Sequence, residues 1–176
     1  LESAQKRGVP IYGEVLGGAV NSGGHRGDGS MTAPNGKAVQ DCIHLALKDA
    51  GIKSEEIDAI NGHLTATSKD AFEIQNWSEA LGRKGNNFPL INTFKSYIGH
   101  CLAAAGSVEL VGAVLQLREQ KIYANSNITA LHSKITDLID TNCVPLQSKG
   151  AAINILAKAS FGFGDVNACV ILKNYN

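Results

Sequence analysis

Twice in this chain a short apolar run gives way to a polar turn carrying a histidine, and each turn leads into a segment of helical period. The first instance is Ile57-Asp58-Ala59-Ile60, followed by the polar stretch from Asn61 to Lys69 with His63 at the strand end. A helix is predicted next from Asp70 to Leu81, with Ile74, Trp77 and Leu81 on one side. The second instance is Phe88-Pro89-Leu90-Ile91-Asn92-Thr93, which leads past Lys95 to His100 and into a helix predicted from Leu102 to Gln120. A strand, a turn and a helix repeated in this order restrict the chain to the α/β class, because each helix needs a sheet face to cover.

The remaining segments complete that plan. Pro10 to Ala19 is rich in Ile and Val and reads as a strand running into a flexible loop, Asn21 to Ser30. From Lys37 to Ala50 apolar residues recur at Val39, Ile43, Leu47 and Ala50, and Gly51 stands where a left-handed cap belongs. His44 on this helix reads as a structural residue. Leu102, Ala105, Val108, Val111, Val114 and Leu115 give the long helix a broad apolar face, so it is expected deep in the core. Tyr123 to Gln147 reads as loop with one helical turn at Ser133 to Ile139. Ala152–Ala157 and Val166–Leu172 read as antiparallel strands joined by a glycine-containing loop, Lys158 to Asp165. The expected architecture is a single domain, residues 1–176, forming a layered α/β sandwich with a mixed sheet that ends in an antiparallel hairpin.

Composition narrows the function classes. With 44% hydrophobic and 18% charged residues the chain can build a packed core, and 176 residues bury roughly two thirds of their unfolded surface. Sixteen basic residues balance sixteen acidic ones with no long run of either sign, which argues against a nucleic-acid partner. No apolar run approaches the span of a membrane helix, so no membrane insertion is expected. Cys42, Cys101, Cys143 and Cys169 are widely spaced and read as reduced thiols of a cytoplasmic protein, Cys101 as a small buried core thiol.

Chemistry concentrates in three turns that each adjoin a strand candidate, and ligands of α/β folds sit at strand ends. In the first, His63 is followed by hydroxyls at alternate positions, which suit an extended polar ligand. In the second, His100 is predicted at the start of the long helix, where the helix dipole disfavours imidazolium. A neutral imidazole there can donate an N–H to a developing oxyanion, with Lys95 adding positive potential. In the third, Ser160 to Gly164, bare backbone amides beside bulky rings can supply half of an oxyanion hole.

These residues also form a pattern. Asn61-Gly62-His63-Leu64-Thr65-Ala66-Thr67 resembles Asn-Ala-His-Gly-Thr-Ser-Thr, and Lys95-Ser96-Tyr97-Ile98-Gly99-His100 resembles Lys-Ser-x-x-Gly-His. Ser160-Phe161-Gly162-Phe163-Gly164-Asp165-Val166-Asn167 resembles Ser-Phe-Gly-Phe-Gly-Gly-Thr-Asn. In this order the chain resembles, along essentially its whole length, the carboxyl-terminal half of the elongating β-ketoacyl-(acyl carrier protein) synthases of the thiolase superfamily. The resemblance implies a thiolase-like half and decarboxylative condensation of a malonyl group with an acyl thioester, in fatty acid or polyketide synthesis.

By that resemblance His63 and His100 bind the thioester carbonyl and stabilise the enolate, and Lys95 sets the electrostatics around His100. Thr65 and Thr67 hydrogen-bond the phosphopantetheine arm of acyl carrier protein, while Phe161 and Phe163 line the acyl side, Phe163 as a gating ring. Asp70, Glu73, Glu109 and Asn167 take supporting places. The resemblance implies no metal and no redox cofactor, since the substrate arrives on the carrier's phosphopantetheine. It implies as partners acyl carrier protein and an amino-terminal half carrying the nucleophilic cysteine, with a homodimer as the complete enzyme. Without that half the chain is expected to be inactive in condensation and to expose an apolar face.

Leu64 and Ala66 depart from the pattern, Asp70 and Glu73 stand one residue closer to His63, and Asp165 replaces a glycine near the gate. Two other readings of the same residues stay open. One is a metal hydrolase using His63, Asp70, Glu73 and His100, although neither HExxH nor CxxC occurs. The other is a non-catalytic chain-length-factor-like or dimerisation partner.

Overall fold

Along the last long apolar stretch Ile155, Ala157 and Ala159 alternate with Leu156, Lys158 and Ser160, so each face of that strand needs its own cover. The computed structural model, which describes residues 1–24 and 34–175, supplies both covers. In chain order the elements are α1 (Glu2–Arg7), β1 (Glu14–Ser22), α2 (Gly36–Ala50), β2 (Ala59–Asn61), α3 (Asp70–Leu81), β3 (Leu90–Asn92) and α4 (Lys95–Ile98). There follow α5 (Ala105–Glu119), β4 (Lys121–Ile122), α6 (Ser133–Thr136), β5 (Lys149–Gly150), β6 (Ile155–Gly162) and β7 (Val166–Lys173).

The main sheet has the order β1-β7-β6-β2-β3. β2 runs parallel to both β3 and β6, while β6-β7 and β7-β1 are antiparallel, which makes the sheet mixed as expected. On one face α2 and α3 bury Ile43, Leu47, Ile74 and Trp77 against Ile60, Ala157 and Ile171. On the other, Ala113 and Leu117 of α5 pack with Leu156, Leu172 and Ala59. An Ile, Leu, Val or Phe side chain fully buried in this way contributes about 1.5–3 kcal/mol, so the two clusters dominate the stability. His44 is exposed, its Nε2 2.9 Å from the carbonyl of Ala80, as a structural residue.

Four expectations are corrected. The first strand begins later and runs further, to Ser22, because β1 continues to pair with β7 as far as Val166; Asn21 and Ser22 are therefore strand, and the rest of the predicted loop from residue 25 lies outside the described residues. The loop after Ala157 is also mostly strand, since β6 pairs with β7 through Gly162 and leaves only 163–165 as the turn. Tyr123 to Gln147 is loop with the expected turn at α6, but it also holds an unpredicted 3-10 turn at Thr141–Cys143, and the unpredicted β4 and β5 on either side of it pair as a second small sheet.

The fourth correction concerns the long helix. Residues 102–104 form a separate 3-10 turn, and α5 starts at Ala105. Its buried stripe is Ala105, Glu109, Ala113, Gln116 and Leu117, whereas Val111 is 62% exposed and Val108 and Leu115 also face outward. The helix is apolar all round, and in this chain the sheet covers only one side of it. With Leu102 at 71% exposure and Tyr97 and Ile98 nearby in sequence, this side of the helix is an exposed apolar face.

Candidate active site

β2 and β3 end side by side, with Asn61 opposite Asn92, and the histidine turns leave the sheet at that edge. The ends are tied by buried amides. Asn61 Nδ2 donates to Asn92 Oδ1 at 3.1 Å, and Asn92 Nδ2 donates to Gln116 Oε1 at 2.7 Å. Asn125 accepts the Thr93 N–H at 3.1 Å and donates to the Ile91 carbonyl at 3.0 Å. A buried network of this kind fixes strand ends in place, because breaking any of its bonds strands a desolvated partner.

The first turn folds around the Asp70 carboxylate at the start of α3. Its Oδ1 accepts the N–H of Thr65 at 3.0 Å, and its Oδ2 accepts that of Ala66 at 3.0 Å. Ala66 takes a left-handed φ of 57°, and the Thr65 and Thr67 hydroxyls lie 3.2 Å apart facing a common cavity. Glu73, one turn further along α3, is buried, and its Oε1 accepts the His63 N–H at 2.7 Å. Gly62 lets the Glu73 carboxylate come close, since a Cβ there would lie 2.7 Å from that oxygen and the carboxylate would have to shift. Burial pushes the Glu73 carboxyl up to about 7, against the opposing hydrogen bond from His63.

The second turn is placed by Phe94, which packs so closely on α5 that a Cβ on Gly112 would meet its ring at 2.5 Å. Lys95 then points its ammonium at Glu109 Oε1, forming a buried hydrogen-bonded ion pair. Gly99, with φ 72°, turns the chain, and His100 follows in coil. His100 therefore stands ahead of α5 and not at its start, and what orients it is a backbone bond: its Nδ1 accepts the N–H of Leu102 at 3.0 Å. In its neutral form the ring must then carry its proton on Nε2. Cys101 is half-buried against the carbonyls of Ile98 and Gly99, not a core thiol as expected.

The two imidazoles meet edge to face with centroids 5.3 Å apart, and Phe161 lies 6.4 Å from His63. A cavity of about 450 Å³ opens beside them, lined by both histidines, Thr65, Thr67, Asp70, Glu73, Phe161, Phe163, Asp165 and Asn167. Phe163 at the turn is 63% exposed. His63 Nδ1 is buried without a hydrogen-bond partner. Burial first, and then the charges of Lys95, His100 and Lys158, lower the pKa of His63 to about 4, so near neutral pH its ring is uncharged. The expected site residues Lys95, Glu109, His63 and His100 are thus brought together, and the three turns converge.

The metal-ligand alternative does not assemble: among the described residues no group of three or more His, Cys, Asp or Glu side chains could hold a metal ion. Asp70 is instead spent on backbone amides. No described helix is long and apolar enough to cross a membrane.

Residues 12–129 match the family described as "Beta-ketoacyl synthase, C-terminal domain". The chain belongs to this family. It is 37% identical over 99% of its length to the 3-oxoacyl-[acyl-carrier-protein] synthase I, chloroplastic, of Arabidopsis thaliana, of which it spans 36%. The crystal structure of a beta-ketoacyl synthase from Burkholderia phymatum matches all of the chain with a TM-score of 0.87 and 26% identity, over 41% of that structure. One chain from the complex of a type II PKS acyl-carrier protein with its ketosynthase matches 99% of it with a TM-score of 0.85 and 27% identity, over 41% of that chain. The thiolase-like fold is therefore that of the ketosynthases, and this β-ketoacyl synthase chain spans about two fifths of the length of such relatives.

One residue of this synthase domain, Lys158, escaped the sequence reading of the site, and Asp165 figures in it only as a departure from the pattern near the gate. Lys158, assigned to a loop, is a β6 residue only 4% exposed, with its ammonium 2.8 Å from Glu109 Oε2. Strand alternation from Ile155 would have turned it to the same face as Leu156. Asp165 is buried with φ 62°; its Oδ1 accepts the N–H of Asn35 at 3.1 Å, and its carbonyl accepts that of Gly23 at 2.9 Å. It thereby ties the turn bearing Phe163 to β1 and α2. Asn167 holds the same corner, donating to Asn21 Oδ1 at 3.1 Å.

Proposed function

We propose that this chain is the part of a β-ketoacyl-(acyl carrier protein) synthase that binds the malonyl thioester and stabilises its enolate. The reading rests on one observation, two imidazoles 5.3 Å apart at the wall of a cavity, one of them held uncharged. As the malonyl carbon–carboxylate bond breaks, carbon dioxide leaves and the electron pair moves onto the thioester oxygen, where His63 and His100 Nε2–H donate to it. The enolate carbon then attacks an acyl thioester, whose thiolate departs. That thiolate belongs to a cysteine outside this chain, so the chain alone does not condense.

Thr65 and Thr67 offer hydroxyls to the phosphopantetheine of the carrier, and Phe161 and Phe163 border the acyl group. Lys95, Glu109, Glu73, Asp70 and Asn167 hold this wall in shape. No metal or redox cofactor enters the scheme. The partners proposed are acyl carrier protein, the half that supplies the cysteine, and a second copy of the complete enzyme. Four free thiols, Cys42, Cys101, Cys143 and Cys169, suit the reducing cytoplasm.

The test joins the chain to an upstream nucleophile half and follows carbon dioxide release from malonyl-carrier. His63→Ala and His100→Ala are each expected to slow it by about 10²–10³-fold, the usual cost of losing one oxyanion donor. Unchanged release in both variants refutes the reading.

A further inference from the structure

We infer that Lys158 is a positioning residue for the histidine pair: its buried ammonium, set on Glu109 opposite Lys95, makes the ion cluster beneath them net cationic and adds to the bias of His63 toward its neutral, donating form. The inference rests on the reading above and adds to it a residue from a different strand.

The geometry of the ammonium is the first support. Lys158 lies on β6 directly across from Asn61 of β2, two residues before His63. Its Nζ donates to the carbonyl of Ala159 and to Ser160 Oγ at 3.1 Å, and it faces Glu109 Oε2 at 2.8 Å. The last contact is an ion pair and not an aligned hydrogen bond, since that oxygen has no well-directed donor. Both hydrogen-bond acceptors of the ammonium and its ion-pair partner are protein atoms, so the charge is fixed in position.

Charge counting is the second. Lys95 and Lys158 each bring +1 and Glu109 brings −1, so the cluster carries 2 − 1 = +1, whereas Lys95 and Glu109 alone would sum to zero. Burial would raise the Glu109 carboxyl, but Lys158 and Lys95 outweigh it and hold it below the ordinary carboxylate range, which keeps the −1 in the count. Burial draws Lys158 itself downward, opposed by Glu109. The other groups facing His63 are His100 and, from α3, Glu73 on its N–H, with Asp70 beyond on the amides of Thr65 and Ala66. A net positive cluster opposes a second positive charge on His63 and favours negative charge on an oxygen bound to it.

The experiment titrates the imidazole resonances of His63 in the full chain, labelled at histidine, from about pH 3 to about pH 8. Lys158→Met is expected to raise the His63 pKa by about one unit, and Lys158→Arg by less than half of that. Lys158→Met combined with Glu109→Gln leaves Lys95 alone at +1 and is expected to return His63 toward its native value. An unmoved His63 in Lys158→Met, or equal shifts in the methionine and arginine variants, overturns the inference. Lys158→Gln carries the same comparison if the methionine variant does not fold, and a native His63 titrating near the ordinary 6.5 overturns it without any variant. These titrations need neither substrate nor upstream half. A Lys158-dependent His63 with unchanged decarboxylation in His63→Ala would therefore sink the catalytic reading and leave the positioning intact.

Discussion

Replacing Glu73 by glutamine should stabilise this chain at pH 8 and change it little at pH 4. The carboxyl is buried under His63, and its pKa rises from 4.5 to about 7 in the folded state. The folded form therefore holds a proton that the unfolded form releases between those values. The stability that goes with the protonated carboxyl is fully present below pH 4.5 and is lost as pH rises through 7. A difference of 2.5 between 7 and 4.5, at 1.36 kcal/mol for each, puts the cost of the ionised group above pH 7 at about 3 kcal/mol. Glutamine keeps an acceptor for the His63 N–H and carries no charge, so it recovers about 2–3 kcal/mol at pH 8. For a domain of this size that is a rise in Tm of about 4–12 °C. Urea unfolding of both proteins at the two pH values measures it. A glutamine variant no more stable than the native chain at pH 8, or a gain of equal size at pH 4, would refute the burial argument.

Gly112→Ala brings a Cβ to 2.5 Å from the Phe94 ring; thermal unfolding should show a loss of about 1–3 kcal/mol despite alanine's better helix propensity, because Phe94 must move. Gly23→Ala would set a Cβ 1.4 Å from Asp165 Oδ2 and should cost at least about 2 kcal/mol in urea unfolding. Most of that cost should vanish in an Asp165→Gly background, where φ 62° also suits the new residue, and an additive double-mutant cycle would contradict the contact. Val111→Asp, on the exposed side of α5, should leave thermal stability within about 0.5 kcal/mol and reduce any self-association seen by light scattering.

Much of this molecule is local and so can be read from the chain. The α3 boundaries at Asp70 and Leu81 and the left-handed cap at Gly51 follow from periodicity and from glycine alone. The histidine turns are likewise legible, since His63 and His100 each follow a short apolar run and carry a motif at fixed spacing. Reading failed where pairing across the sheet decided the outcome. Lys158 looked like a loop residue because glycines and a serine follow it, yet β7 holds that segment as strand to Gly162. His100 looked like a helix start because Leu102 to Ala105 are helix-forming residues, yet the chain inserts a 3-10 turn there, with Leu102 at φ 47°.

The amino-acid order by itself determined where α2, α3 and the short strands before the histidines lie, and which turns carry those histidines, because these depend on neighbours a few residues apart. Only the tertiary structure decided that Lys95, Glu109 and Lys158, from α4, α5 and β6, form one buried ion cluster, and that one side of α5 stays uncovered. The reason is physical: burial and ion pairing depend on which elements come to lie against one another, and periodicity within one element carries no record of its neighbours.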